Sequence, residues 1–333
     1  SVINIKKLFS RPETGALFGL AFVWLFFAIF AKSSFLSTQG VKSYLQVSSE
    51  IGILAIGVAL LMISGEFDLS IGSMIGLSSM SVTLLTVVAG ISMPFSALIT
   101  LAVVLLIGYL NGLLVVKSGL PSFIITLGSL FIVRGITIAV SKMITGRTQM
   151  GGIKSTAGYD IMSSIFSNSL TISETKFPIS ILWWFILGIL GYFLLKKTQI
   201  GNWIFASGGD KNGATNVGVP VGRVKIGLFI STAVASTIFA TIQVLDAGSA
   251  DTMRGSLKEL EAIAAAVVGG CLLTGGYGSA IGAAFGAIIF GTVSMGIFYT
   301  DVDTDWFKVF LGAMMLIAVI FNNYIRKKVT ESK

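Results

Sequence analysis

The sequence predicts an all-α membrane protein: a polytopic bundle of about ten transmembrane helices, with room for broken or re-entrant segments and with both termini cytoplasmic. Three observations lead there. The chain is 54% hydrophobic and only 11% charged, against roughly 25% charged in a soluble protein. A water-soluble fold with so few charges would expose large apolar patches. The apolar residues fall into runs of about 20, the length a helix needs to cross a bilayer. The 39 glycines fit, because small residues let helix backbones approach closely in lipid.

The first span is expected over about residues 15–31. Lys6, Lys7 and Arg11 precede it, and basic flanks stay in the cytoplasm. No small-residue cleavage pattern follows, so this reads as a retained span rather than a signal peptide. Span two covers about 45–64. GEFDLSIGS, residues 65–73, is a polar break too short for a loop domain, and span three continues to about 90. Pro94 opens span four, which ends near Val116. SGLPS at 118–122 is a tight turn, and span five runs to about 140. Residues 141–177 form the longest outer, periplasmic segment. Span six, about 178–195, carries Trp183, Trp184 and Tyr192, aromatics that favour interfaces. Span seven covers about 226–245. The apolar run 260–274 is short for a full span and reads as tilted or broken. GGYGS at 275–279 is a second inner turn, span nine runs to about 298, and TDVDTD at 300–305 lies outside. Span ten ends near Tyr324, and Arg326, Lys327, Lys328 and Lys333 follow on the inner side. Residues 1–333 thus read as one transmembrane domain. The segments ISGEFDLSIGSMIGL (63–77) and LTGGYGSAIGAAFGA (273–287) echo one another. Duplicated halves are common in transporters, and shared small-residue packing would give the same look.

One polar stretch interrupts the pattern at mid-chain, KKTQIGNWIFASGGDKNGATNVGVPVGRVK over 196–225. Asp210 suits an N-cap, since its carboxylate can accept from N–H groups left free at a helix start. Lys211 to Val217 would then form about two turns. Gly218 stands where a left-handed residue is wanted, and Pro220 where a helix cannot continue. The stretch reads as a short cytoplasmic helix between two spans. It either docks a partner or is a solvated connector.

Enzyme chemistry is not expected. There is no histidine and one cysteine, Cys271, so imidazole chemistry, an internal disulfide and a cysteine metal cluster are all excluded. No G-x-x-x-x-G-K-[ST] phosphate loop occurs. The net charge of +8 orients the chain in the membrane rather than marking a nucleic-acid binder. Polar residues within spans are the candidates for a path, because a charge at the bilayer centre costs about 2.5–3.5 kcal/mol on insertion scales. Arg134 either faces an aqueous path or snorkels outward. Glu50 reads as interfacial, one turn into span two. Glu259 and Glu261 open the eighth segment at an outer vestibule. Asp68 caps a helix starting at Leu69, or with Ser70 belongs to the path. Asn111, Ser122 and Thr126 line a path or bond neighbouring helices.

At GEFDLSIGS the chain resembles a known family. The stretch looks like the G-x-x-DLS-x-G signature of the ribose/xylose/arabinose-type permeases of bacterial ABC importers. NGLLVVKSGLPSFIITLGSLFIVRGI (111–136) is similar to that family's NG…PSFI-x-TLG…RG segment. ASGGDKNGATNVGVPVGRVK (206–225) resembles its cytoplasmic loop, and ELEAIAAAVVGGCLLTGGYGSAIGAAFGA (259–287) its ELDAIAA…GG segment. The likeness covers nearly the whole chain in order. Two departures fall in the loop. Asp210 stands for the usual Asn, and Gly213-Ala214 for Ala-Ala, a change that should loosen the short helix by about 1 kcal/mol.

The resemblance implies a permease subunit in the bacterial inner membrane that passes a monosaccharide or polyol. It implies a second permease copy, identical or related, a cytoplasmic ATPase, and a periplasmic or lipid-anchored sugar-binding protein. ATP and Mg would sit on the ATPase, with no cofactor on this chain and no nucleic acid as partner. The loop residues Gly208, Gly209, Asp210, Lys211, Ala214, Gly218, Val219 and Arg223 would couple to that ATPase, with Val217 and Val221 adding apolar surface. Asp68 and Arg134 fall on family-pattern positions. The alternatives are a stand-alone carrier or facilitator for a small polar solute, and a scaffold subunit beside another membrane chain.

Overall fold

The computed structural model describes residues 11–313 together with Leu316, Ile317, Ile320 and Tyr324. Lys6, Lys7, part of the expected tenth span and the basic tail lie outside the described residues. Eight described helices are long and apolar enough to cross a membrane. They are α1 (Pro12–Phe30), α2 (Thr38–Ile63), α3 (Ile71–Thr83, prolonged by a π turn over Leu84–Val88), α4 (Met93–Ser118) and α5 (Ser122–Thr145). After these come α7 (Ser180–Lys197), α10 (Val221–Ala247) and α12 (Ala280–Gly296). Shorter helices are α6 (Tyr159–Phe166), α8 (Gln199–Gly209), α9 (Lys211–Asn216) and α11 (Lys258–Val268).

The run 260–274, expected to be tilted or broken, is broken. Residues 260–274 do not cross the membrane as a helix. Only the 11 residues of α11 are helical, about 16 Å at 1.5 Å per residue and half of a bilayer core. The chain then runs irregularly to Ser279, which caps α12 by accepting from Gly282 N at 3.2 Å. Beyond α12 the chain is helical again from Phe307 to Ala313. The described residues therefore hold eight full spans and one half-span.

Helix α2 is the hub. It is apolar on every side from Ile51 to Ile63 and buried throughout, as a helix surrounded by others must be. It packs against α7, α10, α11 and α12. Gly291 of α12 lies against Tyr44 and Ser48 of α2, a close approach that dispersion rewards in lipid. The helices α1, α4, α5 and α7 turn Phe22, Phe95, Phe131 and Phe185 outward, toward the acyl chains of a bilayer. Helix α2 starts at Thr38 rather than near residue 45, because Ser37 caps it by accepting from Gly40 N at 3.1 Å. Glu50 therefore sits in mid-helix, not at an interface. Its Oε2 accepts from Gln243 Nε2 of α10 at 2.6 Å.

The long segment after α5 also differs from expectation. Helix α5 continues to Thr145, and two antiparallel pairs follow. Strand β1 (Gln149–Gly151) pairs with β4 (Ser249–Asp251), Gln149 opposite Asp251. Strands β2 (Ser169–Ile172) and β3 (Thr175–Pro178) form a hairpin. Its two-residue turn, Ser173-Glu174, has positive φ at both positions, which matches the twist of the flanking strands.

Candidate functional site

The polar break between α2 and α3 organises the candidate site. Irregular backbone at membrane depth must find partners for its N–H groups, and α5 supplies two of them. Ser122 and Thr126 lie one turn apart on one face of that helix. Ser122 Oγ accepts from Phe67 N at 2.9 Å, and Thr126 Oγ1 from Leu69 N at 3.0 Å. Asp68 is 2% exposed. Its Oδ1 accepts from Ser70 N at 2.9 Å and Ser70 Oγ at 2.6 Å, and its Oδ2 from Thr232 Oγ1 of α10 at 2.6 Å. Asn111 of α4 donates to Ser70 Oγ at 3.0 Å. Five residues singled out in the sequence thus meet in one buried knot that ties four helices together. The expected start of α3 shifts. It begins at Ile71, and Asp68 holds the N–H of Ser70 instead of capping a helix at Leu69.

Thr232 completes the knot and was not foreseen, because a lone threonine in an apolar span carries no pattern. A second unforeseen contact is the ion pair between Lys225 Nζ of α10 and Glu66 Oε1 in the break, both side chains nearly buried.

The two glycine-rich breaks touch. Gly276 N donates to Ile63 O, the end of α2, at 2.8 Å. Gly208, near the end of α8, lies against that same carbonyl and amide, and a Cβ on it would overlap both. The echoing segments are therefore spatial neighbours, and α8 abuts their junction.

The other two path candidates lie apart from the knot. Arg134 does not snorkel: its Nη1 donates to Ser256 Oγ, ahead of α11, at 2.7 Å, and its Nε is buried. Glu261 pairs with Lys258 at 2.5 Å. Glu259 is buried beside Gly72 of α3.

The mid-chain stretch is more helical than expected. Lys196 and Lys197 end α7, and residues 221–225 begin α10. Thr198 caps α8, accepting from Gly201 N at 3.2 Å. Asp210 caps α9, accepting from Gly213 N at 2.9 Å. Gly218 takes φ +87°, the left-handed turn that ends the helix, where a β-carbon would be strained. Gly213 and Asp210 fit one another, since the carboxylate occupies the space a Cβ on Gly213 would need. The cap thus offsets the looser glycine. Asp210→Ala should cost about 1 kcal/mol, seen as faster amide exchange confined to α9. Gly209, Asp210, Lys211, Val217, Gly218 and Arg223 are exposed, and Val219 is half-buried. Ala214 and Val221 are buried, so Val221 does not add the apolar surface anticipated for it.

These features define a multi-pass α-helical membrane protein of the permease type, with discontinuous segments braced at its centre. The chain belongs to the family described as branched-chain amino acid transport system, permease component, which matches residues 40–319. It is 29% identical to the xylose transport system permease protein XylH of Haemophilus influenzae, over 94% of this chain and 96% of that one. It is 31% identical to the galactose/methyl galactoside import permease protein MglC of Escherichia coli, over 98% of this chain and all of the relative (100%). It is 32% identical to the xylose/arabinose import permease protein XylH of Sulfolobus acidocaldarius, over 98% of this chain and 88% of that one. No solved structure matches.

Proposed function

We propose that the chain is the membrane-spanning subunit of an ATP-driven importer that passes a monosaccharide or related polyol across the bacterial inner membrane. The carrying observation is that relatives named for sugar import match over nearly its whole length. Hydrolysis then belongs to a cytoplasmic ATPase docked on the loop that holds α8 and α9. A periplasmic or lipid-anchored binding protein delivers the sugar, and a second permease copy completes the path. ATP and Mg reside on the ATPase, and this chain binds no cofactor. Asp68, Ser70, Asn111, Ser122 and Thr126 then frame the inner part of the path, and Arg134 and Glu261 the outer part. Gly208, Ala214 and Gly218 shape the docking loop, and Gly209, Asp210, Lys211, Val217, Val219 and Arg223 form its surface.

The test is uptake into proteoliposomes with D-xylose, D-galactose, D-fructose and L-leucine as probes. ATP-dependent accumulation of one sugar, only with ATPase and binding protein present, is the expected result. Accumulation of leucine alone overturns the substrate class. Equilibration of sugar by this chain alone favours the facilitator. The loop makes its own prediction. Val217→Asp with Arg223→Glu alters two exposed side chains, so the melting of the chain should hold within about 0.5 kcal/mol. Affinity for the ATPase should fall about thirtyfold, the roughly 2 kcal/mol of a lost interface anchor. Surface plasmon resonance on nanodiscs reads that directly.

A further inference from the structure

Helix α10 is fastened to the break between α2 and α3 at two points. Near its start Lys225 pairs with Glu66. Two turns further along the same face, Thr232 bonds Asp68. Residues i and i+7 share a helix face, and Glu66 and Asp68 both reach that face of α10. The two fastenings therefore run side by side. The pair is nearly buried, with side chains 7% and 14% exposed. A buried ion pair is a weak source of stability, since apolar residues of similar volume often do as well or better. Stability alone does not account for it.

Its position does. Four residues, Val217 to Pro220, join α9 to α10, and this short linker is tied to both helices. Val219 N donates to Ala214 O of α9 at 3.0 Å, and Val221 N of α10 to Val219 O at 2.8 Å. A displacement of α9 passes into the start of α10, where Lys225 is the fifth residue. From there the ion pair reaches Glu66, and the break it belongs to carries Asp68 and Ser70.

We propose that Lys225 and Glu66 are positioning residues that transmit movement of the α9 loop into the polar knot. They form a charged joint between the docking surface and the path. This deepens the importer reading and rests on it.

The test compares three forms of the full complex in proteoliposomes: the neutral pair E66Q/K225M, the reversed pair E66K/K225E and the conservative K225R. Sugar accumulated per ATP hydrolysed is measured with radiolabelled D-xylose, D-galactose and D-fructose, beside melting of each complex. Neutralising both partners leaves no lone buried charge, so E66Q/K225M should melt with the parent. Its sugar per ATP should nonetheless fall about tenfold, while K225R and the reversed pair regain most of it. A neutral pair that accumulates as much sugar per ATP as the parent overturns the joint. So does a reversed pair as stable as the parent but as poorly coupled as the neutral one. A parent complex without ATP-driven uptake of any probe overturns the importer reading itself, and the joint falls with it.

Discussion

Asp68→Ala should destabilise the chain by about 3 kcal/mol or more, counting two buried donors left unpaired at roughly 1–3 kcal/mol each. Those donors are the Ser70 amide and hydroxyl, both held by Oδ1. Thr232 escapes the penalty, since its hydroxyl also reaches Phe229 O at 2.8 Å. Asp68→Asn is the informative partner. It keeps the Oδ1 acceptor, and its amide can donate to a Thr232 hydroxyl turned to Phe229. It should melt close to the parent in detergent. An Asn variant as unstable as the Ala variant would mean that the charge holds the break in place, rather than the number of hydrogen bonds.

Gly208→Ala and Gly209→Ala should part company, although the residues are neighbours. A Cβ on Gly208 falls on the Ile63 carbonyl and the Gly276 amide. Both are backbone, so no rotamer relieves the overlap. Overpacking costs about 1–3 kcal/mol, and separating the 2.8 Å bond from Gly276 N to Ile63 O adds about 1 kcal/mol. A Cβ on Gly209 meets nothing within 4 Å. It should leave stability unchanged or raise it by up to about 1 kcal/mol through helix propensity. Melting curves of the two purified variants decide the matter. Equal behaviour would mean that α8 does not bear on the junction of the breaks.

What could be read beforehand divides along physical lines. The long spans were legible because a bilayer demands runs of about 20 apolar residues, and α2, α4 and α10 supply them. Helix α9 was legible because Asp210, Gly218 and Pro220 are start and stop residues with local causes. Helix α8 was not, because GNWIFASGG at 201–209 mixes glycines with a helical period too short to stand out. The strands β1 and β4 were invisible. Three residues at 149–151 pair with three at 249–251, and neither stretch alternates long enough to carry a period-two signal. In the knot, Asp68, Ser70, Asn111, Ser122 and Thr126 stood out as polar residues in apolar surroundings. Their convergence, and the parts of Thr232 and Lys225, depend on contacts across the chain that no local pattern records. Arg134 and Glu261 stood out for the same reason and lie elsewhere, so polarity marks candidates without placing them.

The half-length of α11 has a consequence for biogenesis. A helix of 11 residues cannot partition as an independent unit, because it is too short to cross the hydrocarbon. In the finished fold the strand of chain after it is received by Ile63, far upstream. Ribosomal synthesis delivers that receiving surface first. The stub must therefore wait until the preceding helices have gathered, so its entry into the bilayer is a late, templated step.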